Sequence, residues 1–176
     1  MREALVARVV DIAGVVDGRV KLQKMVYLLQ RCGFDLGFDD FRLYHYGPFS
    51  ADLADVLDSA KQYGLLSEMP GKPWVAADGT EVTPRSYQVP GDARDIAERV
   101  TARRLPGRAG EFAGLVGRLA KCDRRVLEVA ATAAYVRRPE QSLTDGSLWR
   151  QVRQVKPKLT SSVTKAKGLL AELPLQ

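Results

Sequence analysis

Apolar side chains recur every three or four residues over most of this chain, and short stretches of apolar–polar alternation lie between them. The spacing of three and four predicts amphipathic helices, because a helical turn takes 3.6 residues. In the first half, this pattern predicts helices over about residues 2–16, 20–32 and 51–63. Ser50 is a favourable N-cap for the third helix, since its hydroxyl can accept a hydrogen bond from a free backbone N–H.

Short segments around the third predicted helix favour strands. Residues 41–46 alternate apolar or aromatic with polar side chains, and Gly47-Pro48 is expected to end that strand. Residues 74–76 and 82–89 flank an Asp78-Gly79 pair, which is a strong signal for a hairpin turn. Helix, helix, strand, helix, strand and hairpin is the order of a winged-helix module.

After residue 90 the pattern is wholly helical. Further helices are expected near residues 92–104, 112–119, 124–136, 149–156 and 163–173. The predicted fold class is therefore mainly α with α+β character. A winged-helix-like module with a small antiparallel sheet covers residues 1–90, and a helical half over residues 91–176 packs on it to form one compact domain.

The composition is that of an ordinary globular domain, with 45% hydrophobic residues, so the core needs no metal or disulfide. Cys32 and Cys122 are the only cysteines, and both fall at apolar positions of helical patterns. We expect them to be small buried side chains, not zinc ligands. The apolar runs are too short to span a bilayer, and the N-terminus lacks the features of a signal peptide. A cytoplasmic protein without a cofactor, metal or membrane contact is expected.

The net charge of +6 is carried by the second half. Residues 1–90 contain 10 Lys and Arg against 12 Asp and Glu, whereas residues 91–176 contain 17 against 9. This asymmetry indicates a polyanionic partner for the second half, or else a helical surface that arginine keeps soluble. The candidate nucleic-acid contacts are Arg103, Arg104, Arg108, Arg124, Arg125, Arg137, Arg138, Arg150, Arg153, Lys156 and Lys158. Few aromatic residues accompany them, so base stacking is not predicted.

A second candidate surface lies in the first half. It comprises the aromatic segment with Tyr44, His45, Tyr46 and Phe49, and the outer face of the third helix with Asp52, Asp55 and Asp58. The acidic face would repel phosphates and suits a basic protein surface better. His45 is the only histidine and has no partner motif for a metal site or a catalytic triad, so the aromatic segment is expected to pack the strand against the first helices. Lys21 and Lys24 are expected on a solvent-exposed helix face.

The segments K-L-Q-K-M-V-Y-L-L-Q (21–30), Y-H-Y-G-P-F-S-A-D-L (44–53) and Y-G-L-L (63–66) resemble the YwgA-like proteins. They are also distantly similar to the Panacea domain of SocA-type antitoxins. Weaker similarity continues over residues 126–136, 155–160 and 165–170. The resemblance implies a small helical domain with a short β-sheet and no established enzyme activity. It further implies a defence, toxin–antitoxin or regulatory setting, in which members bind proteins or nucleic acid.

Three classes of function remain open at this point. The first is a non-catalytic regulatory or phage-defence accessory protein that binds DNA or RNA through the basic second half. The second is an adaptor or antitoxin-like module that docks a protein through residues 44–49 and the acidic helix 51–63. The third is an enzyme whose site is completed by a partner chain, because the sequence contains no visible catalytic constellation.

Overall fold

Helices make up most of the computed structural model, which describes residues 1–71, 73–75, 81–137 and 140–176. The α-helices are α1 (Arg2–Ala13), α2 (Arg19–Arg31), α3 (Ala51–Gln62), α4 (Arg94–Arg104), α5 (Ala109–Ala120), α6 (Arg124–Val136), α7 (Gly146–Val155) and α8 (Val163–Ala171). The strands are β1 (Val16–Asp17), β2 (Arg42–Tyr44), β3 (Gly47–Phe49), β4 (Ser67–Pro70), β5 (Trp74–Val75), β6 (Glu81–Val82) and β7 (Arg85–Gln88). Short 3₁₀ segments, Gly91–Ala93 and Pro157–Ser162, precede α4 and α8. A mainly helical fold with a small antiparallel sheet is thus confirmed.

The small sheet has the strand order β1-β7-β4, with both pairings antiparallel. Tyr87 of β7 lies at its centre, opposite Val16 on one side and Glu68 on the other, and its side chain is buried. β5 pairs with β6 as a separate antiparallel pair, so the predicted hairpin is observed only in part. Residues 85–88 of its predicted second arm form β7 and pair with β1 and β4 instead. The Asp78-Gly79 turn that was expected to connect them lies outside the described residues.

The segment between α2 and α3 differs from the sequence prediction. Gly47-Pro48 does not end a single strand, because Gly47–Phe49 forms β3 and pairs antiparallel with β2. The two strands make a hairpin that turns at His45 and Tyr46, with Tyr44 opposite Gly47. Gly47 adopts a positive φ of 86°, which glycine accepts without strain.

Buried side chains from both halves of the chain form one hydrophobic cluster. α1 packs against α3, α4 and α5, and α2 packs against α5 and α6. α6 lies at the centre, since Val126–Ala134 is buried throughout and the helix also contacts α7, α8 and β3. The alanines of this segment allow close packing of the neighbouring elements. Residue 90 therefore divides two segments of sequence but does not divide the core.

The buried surface of α2 is wider than the sequence pattern predicts. Lys24 was expected to face outward, yet its side chain is buried, and so is that of Tyr27. The reason is that α2 contacts α5 and α6 and is also covered by the hairpin strand β3. Lys21 is half-buried, and its Nζ donates a hydrogen bond to the carbonyl oxygen of Ala120 at 2.7 Å. The predicted solvent-exposed lysine face is therefore wrong.

The helices are short, and the longest described ones have 13 residues. None of the helices in the described ranges is long and apolar enough to cross a membrane.

Candidate nucleic-acid interface

The tip of the β2–β3 hairpin presents aromatic side chains to solvent. Tyr44 is 64% exposed and Tyr46 is 56% exposed, and His45 between them is exposed as well. The rings of Tyr44 and His45 meet edge to face, with 4.5 Å between their centroids. These three aromatic side chains were expected to pack the strand against the first helices, and this expectation is wrong because they are exposed. The buried residues of the hairpin are Gly47 and Pro48.

Two adjacent polar residues of α2 attach the hairpin from one side. The Gln23 amide donates to the carbonyl oxygen of Ser50 at 2.8 Å and accepts from the Ser50 N–H at 2.9 Å. Lys24 Nζ donates to the carbonyl oxygen of Pro48 at 2.6 Å. All these groups are buried. The sequence segments 21–30 and 44–53 are therefore coupled through direct hydrogen bonds.

The opposite side of the hairpin is held by α6 and by the end of α7. Lys156 Nζ forms an ion pair with Glu128 Oε1 at 2.8 Å, and both side chains are only 7% exposed. The same ammonium donates to the carbonyl oxygen of His45 at the hairpin turn. A Cβ at Gly47 would lie 2.9 Å from Thr132 Oγ1, so the backbone of β3 lies directly on α6. The hairpin is thus fixed on a rigid support.

Two buried ammonium groups lie beneath the hairpin with one buried carboxylate. Burial lowers the pKa of Lys24 to about 8; the Glu128 carboxylate opposes this decrease, and the charge of Lys156 adds to it. Such a buried ammonium is tolerated because Pro48 accepts one of its hydrogen bonds. The exposed hairpin tip therefore lies over a buried cluster of two lysines and one glutamate.

A groove of about 360 Å³ runs between the hairpin tip, the first turn of α6 and the segment that follows α7. Its rim carries the side chains of His45, Tyr46, Arg124, Arg125 and Lys158. We refer to these five residues as the hairpin groove. Within the described part of the chain, its three cations form no ion pair, and each side chain is exposed. The groove thus combines free positive charge with exposed aromatic rings.

The first turn of α6 places the two arginines at this edge. Asp123 caps the helix, and its carboxylate accepts a hydrogen bond from the Arg125 N–H at 2.7 Å. Because Val126 and Leu127 face the core, the adjacent Arg124 and Arg125 point toward solvent. This N-cap, at the start of the helix predicted over residues 124–136, thereby puts both guanidinium groups beside the hairpin.

Several predicted cationic contacts are already paired elsewhere. Arg104 forms an ion pair with Asp35 at 2.7 Å. Arg108 pairs with Glu111 at 2.9 Å and lies 4.0 Å from the centre of the Phe34 ring. Lys156 is buried in its ion pair with Glu128. These three residues do not offer free charge to a ligand.

The other predicted cations within the described residues lie on α4, at the end of α6 and on α7. Arg137 donates to the carbonyl oxygen of Gln141 at 2.9 Å and lies at the opposite end of α6 from Arg124, about 20 Å away along the helix. Arg103, Arg150 and Arg153 are exposed, and no ion pair holds them in the described ranges. Arg138 lies outside the described residues. The predicted cations therefore do not all offer free charge, and three of them meet at the hairpin groove.

The acidic face of α3 is largely neutralised by nearby cations. Asp52 pairs with Arg2, one of whose contacts is 3.0 Å long. Asp58 pairs with Arg19 at 3.0 Å and with Lys61 at 2.9 Å, and Lys61 and Arg19 hold the pKa of Asp58 below its usual range. Asp55 remains exposed.

The fourth aromatic residue of the predicted protein-docking surface, Phe49, is less exposed than the other three. Phe49 is half-buried beside Tyr44, with ring centroids 6.1 Å apart.

Metal and nucleophile chemistry finds little support in the described residues. They contain no group of three or more His, Cys, Asp or Glu side chains arranged to hold a metal ion. Burial raises the pKa of Cys32 to about 11, and burial also raises the pKa of Cys122. Both thiols therefore stay protonated at neutral pH, and a thiol is a poorer nucleophile than a thiolate.

No protein-family model matches this chain, and the curated proteins contain no match to it. The functional argument therefore depends on the geometry of the hairpin groove.

Proposed function

We propose that this chain is a non-catalytic nucleic-acid-binding protein that contacts single-stranded DNA or RNA at the hairpin groove. The observation that carries the proposal is the meeting of Arg124, Arg125 and Lys158, all free of ion pairs in the described residues, with the exposed rings of His45 and Tyr46. The motif resemblance to YwgA-like and Panacea proteins suggests a regulatory or defence-associated setting.

Single strands fit this surface better than a duplex does. Proteins that bind single strands combine a cationic groove along the backbone with aromatic side chains on which bases stack. In a duplex the base faces are already stacked, so exposed tyrosines gain little from it. The hairpin is held by buried hydrogen bonds from Gln23, Lys24 and Lys156, so its rings are presented with little loss of conformational entropy on binding.

We further infer that residues 1–90 form a winged-helix-like module. Three observations support this inference: the element order α1, β1, α2, α3, β4 and β7, the strand order β1-β7-β4, and the β5–β6 pair at the wing position.

In such a module α3 would be the recognition helix. Its carboxylates at Asp52 and Asp58 are engaged by cations of the chain itself, and its outer face offers no free arginine to phosphates. For this reason we assign the nucleic-acid contact to the hairpin groove and not to α3.

The proposal predicts salt-dependent binding of single strands that depends on both cations and aromatics. Fluorescence anisotropy of short labelled strands and duplexes at about 50 mM and about 200 mM salt would measure it. The double variant Arg124→Glu/Arg125→Glu should weaken single-strand binding at least about tenfold and lower the salt slope by about 1.4, since each phosphate contact contributes about 0.7. Tyr46→Ala should weaken binding by about tenfold, because stacking of one base is worth roughly 1–3 kcal/mol.

Matched variants separate local contacts from general charge and surface effects. Arg99→Glu/Arg103→Glu makes the same charge change on α4, and Tyr63→Ala removes a tyrosine that is 70% exposed at the end of α3. Both controls should leave affinity within about twofold of the unmodified protein. Equal losses in test and control variants would contradict the assignment of the surface. Absence of binding to every strand and duplex at low salt would overturn the proposal and favour the docking of a protein at the hairpin.

A further inference from the structure

A cavity of about 640 Å³ lies between the start of α2, the three-stranded sheet and the turn that joins α5 to α6. Its lining residues include Arg19, Lys21, Arg85, Tyr87 and Arg124. We refer to it as the α2–sheet cavity. Arg124 also lines the hairpin groove, so the two cavities adjoin at this side chain.

Direct contacts join the walls of the α2–sheet cavity. A Cβ at Gly18 would lie 3.9 Å from the carbonyl oxygen of Arg85, so the backbone of β7 runs beside the start of α2. Lys21 Nζ donates to the carbonyl oxygen of Ala120 at 2.7 Å, and this bond ties α2 to the end of α5. α6 then begins at Arg124. The start of α2 therefore connects the wall that carries Arg85 to the wall that carries Arg124.

The register of the sheet places Arg85 on the cavity side. Residues i and i+2 of a strand share one face of a sheet, and so do directly opposite residues of antiparallel neighbours. Arg85 and Tyr87 of β7 therefore share a face with Glu68, which lies opposite Tyr87, and all three residues line the cavity. The Arg85 side chain is exposed, so a ligand in the cavity can reach it.

Arg85 and Arg124 supply free positive charge to this cavity. In the described part of the chain, neither guanidinium has an ion pair or a hydrogen bond, and both side chains are exposed. Arg19, in contrast, pairs with Asp58 at 3.0 Å. The lining carboxylates each accept a hydrogen bond from the chain itself: Asp17 from Ser86, Glu68 from Lys61, and Asp123 from the N–H of Arg125. The charge left for a ligand is therefore cationic.

The chemistry of the α2–sheet cavity favours a phosphate over a base. Among the described lining residues, Tyr87 is the one aromatic side chain, and it is only 1% exposed. Stacking of a base requires an accessible ring face, whereas guanidinium groups bind phosphate oxygens through charge-assisted hydrogen bonds. This cavity therefore differs from the hairpin groove, where His45 and Tyr46 expose their rings.

We propose that a strand bound at the hairpin groove continues past Arg124 into the α2–sheet cavity, where Arg85 contacts a backbone phosphate. Sites for small molecules have volumes of about 300–1,000 Å³, so the cavity has room for a nucleotide unit of the strand. This proposal rests on the proposed function. It adds a second segment to the binding site, which long strands reach and which does not distinguish bases.

Strand length separates the contributions of the two cavities. Oligo(dT) strands of about 6 and about 15 nucleotides, both within the usual size range of single-strand sites, compete with a labelled strand of the longer length in fluorescence anisotropy. Arg85→Glu should weaken binding of the longer strand about fivefold and lower its salt slope by about 0.7, because one phosphate contact is lost. The shorter strand, bound at the hairpin groove, should change by less than about twofold. Oligo(dA) should show the same dependence on length, since no base is read in this cavity.

Two further variants serve as controls. Arg103→Glu makes the same charge change at an exposed arginine of α4 and should alter the affinity of either length by less than about twofold. Arg85→Gln removes the charge without placing a new carboxylate beside Glu68, and it should give a smaller loss that is again confined to the longer strand. Circular dichroism and urea unfolding establish that each variant is folded, and Arg85→Gln carries the test if Arg85→Glu does not fold.

The outcomes separate this inference from the proposed function. A folded Arg85 variant that binds the longer strand as tightly as the unmodified protein overturns the inference, and so does an equal loss for both lengths. If Arg124→Glu/Arg125→Glu still weakens binding of both lengths in that case, the proposed function stands. If no strand binds at low salt, the proposed function itself fails and this inference fails with it.

Discussion

Lys24 lies where α2, the hairpin and α6 meet, and its side chain is buried in spite of its charge. Among the described residues, its ammonium donates to the carbonyl oxygen of Pro48, and its charged neighbours are Glu128 of α6 and Lys156 at the end of α7. Removal from water disfavours the charged form of a lysine. Lys24 therefore links the stability of the hairpin to pH.

The stability of the protein should rise with pH through the folded-state pKa of Lys24. Below pH 8 the ammonium is protonated in both states, whereas between pH 8 and 10.5 the folded state has lost the proton that the unfolded state keeps. The free energy of unfolding should thus gain about 1 kcal/mol between about pH 7 and pH 9 from this residue. Urea unfolding across that range measures the effect.

Lys24→Met provides the reference for this pH profile. The variant lacks the titrating amine, so its stability should change less with pH than that of the unmodified protein. The range ends near pH 9 because burial raises the pKa of Cys32 to about 11 and the pKa of Tyr27 to about 12, and both act in the opposite direction at higher pH. Parallel pH profiles for the two proteins would show that Lys24 is not the responsible group.

At the scale of elements, the β2–β3 hairpin depends on three neighbours and not on its own few residues. α2 supplies Gln23 and Lys24, the end of α7 supplies Lys156, and α6 supplies the surface on which Gly47 lies. A two-stranded hairpin of this length is marginally stable in water by itself. The exposed aromatic tip is therefore ordered only as part of the assembled fold.

Gly47→Ala should destabilise the protein more than Gly64→Ala does. Both glycines have positive φ, 86° and 70°, so each alanine adds backbone strain of roughly 1–2 kcal/mol. A Cβ at Gly47 would additionally lie 2.9 Å from Thr132 Oγ1, whereas nothing lies within 4 Å at Gly64. We expect a further loss of about 1 kcal/mol or more at Gly47, measured by urea unfolding. Equal losses would show that β3 does not depend on its close contact with α6.

At the scale of the whole molecule, the two sequence halves fold around one core. The apolar faces of α1 and α2 are covered by α4, α5 and α6, which all belong to the second half. The hairpin groove has the same composite origin, since His45 and Tyr46 come from the first half and Arg124, Arg125 and Lys158 from the second. The segment of residues 1–90 is therefore not expected to act alone.

A fragment of residues 1–90 should not unfold cooperatively. Without α4, α5 and α6 it leaves the apolar faces of α1 and α2 in water, and the hairpin loses its contacts with Lys156 and Thr132. Heat and urea scans followed by circular dichroism, together with dye binding to exposed apolar surface, would test this in comparison with the full chain. A sharp transition and a well-dispersed NMR spectrum for the fragment would contradict it.

The local patterns predicted the helices well and the hairpin poorly. α6 was expected over residues 124–136 and is observed as Arg124–Val136, because Asp123 caps its start and an apolar face continues to its end. The strand prediction at 41–46 missed β3, since aromatic–polar alternation continues through the turn at His45 and Tyr46. The predicted exposure of Lys24 was wrong, because helical periodicity indicates the most apolar face of a helix but not how many elements cover the helix. Glu128 carried a signal, a lone acid in an apolar helix, that could have indicated a buried partner.

By itself the sequence determined the helical class, most helix bounds and caps, and the excess of cations after residue 90, because spacing and composition are local properties. Only the tertiary structure decided which cations remain free and which are buried in pairs such as Lys156–Glu128. It also brought His45 and Tyr46 beside Arg124 and Arg125, which are far from them in the chain. The physical reason is that ion pairing and surface proximity depend on packing between distant segments, which one-dimensional periodicity does not encode.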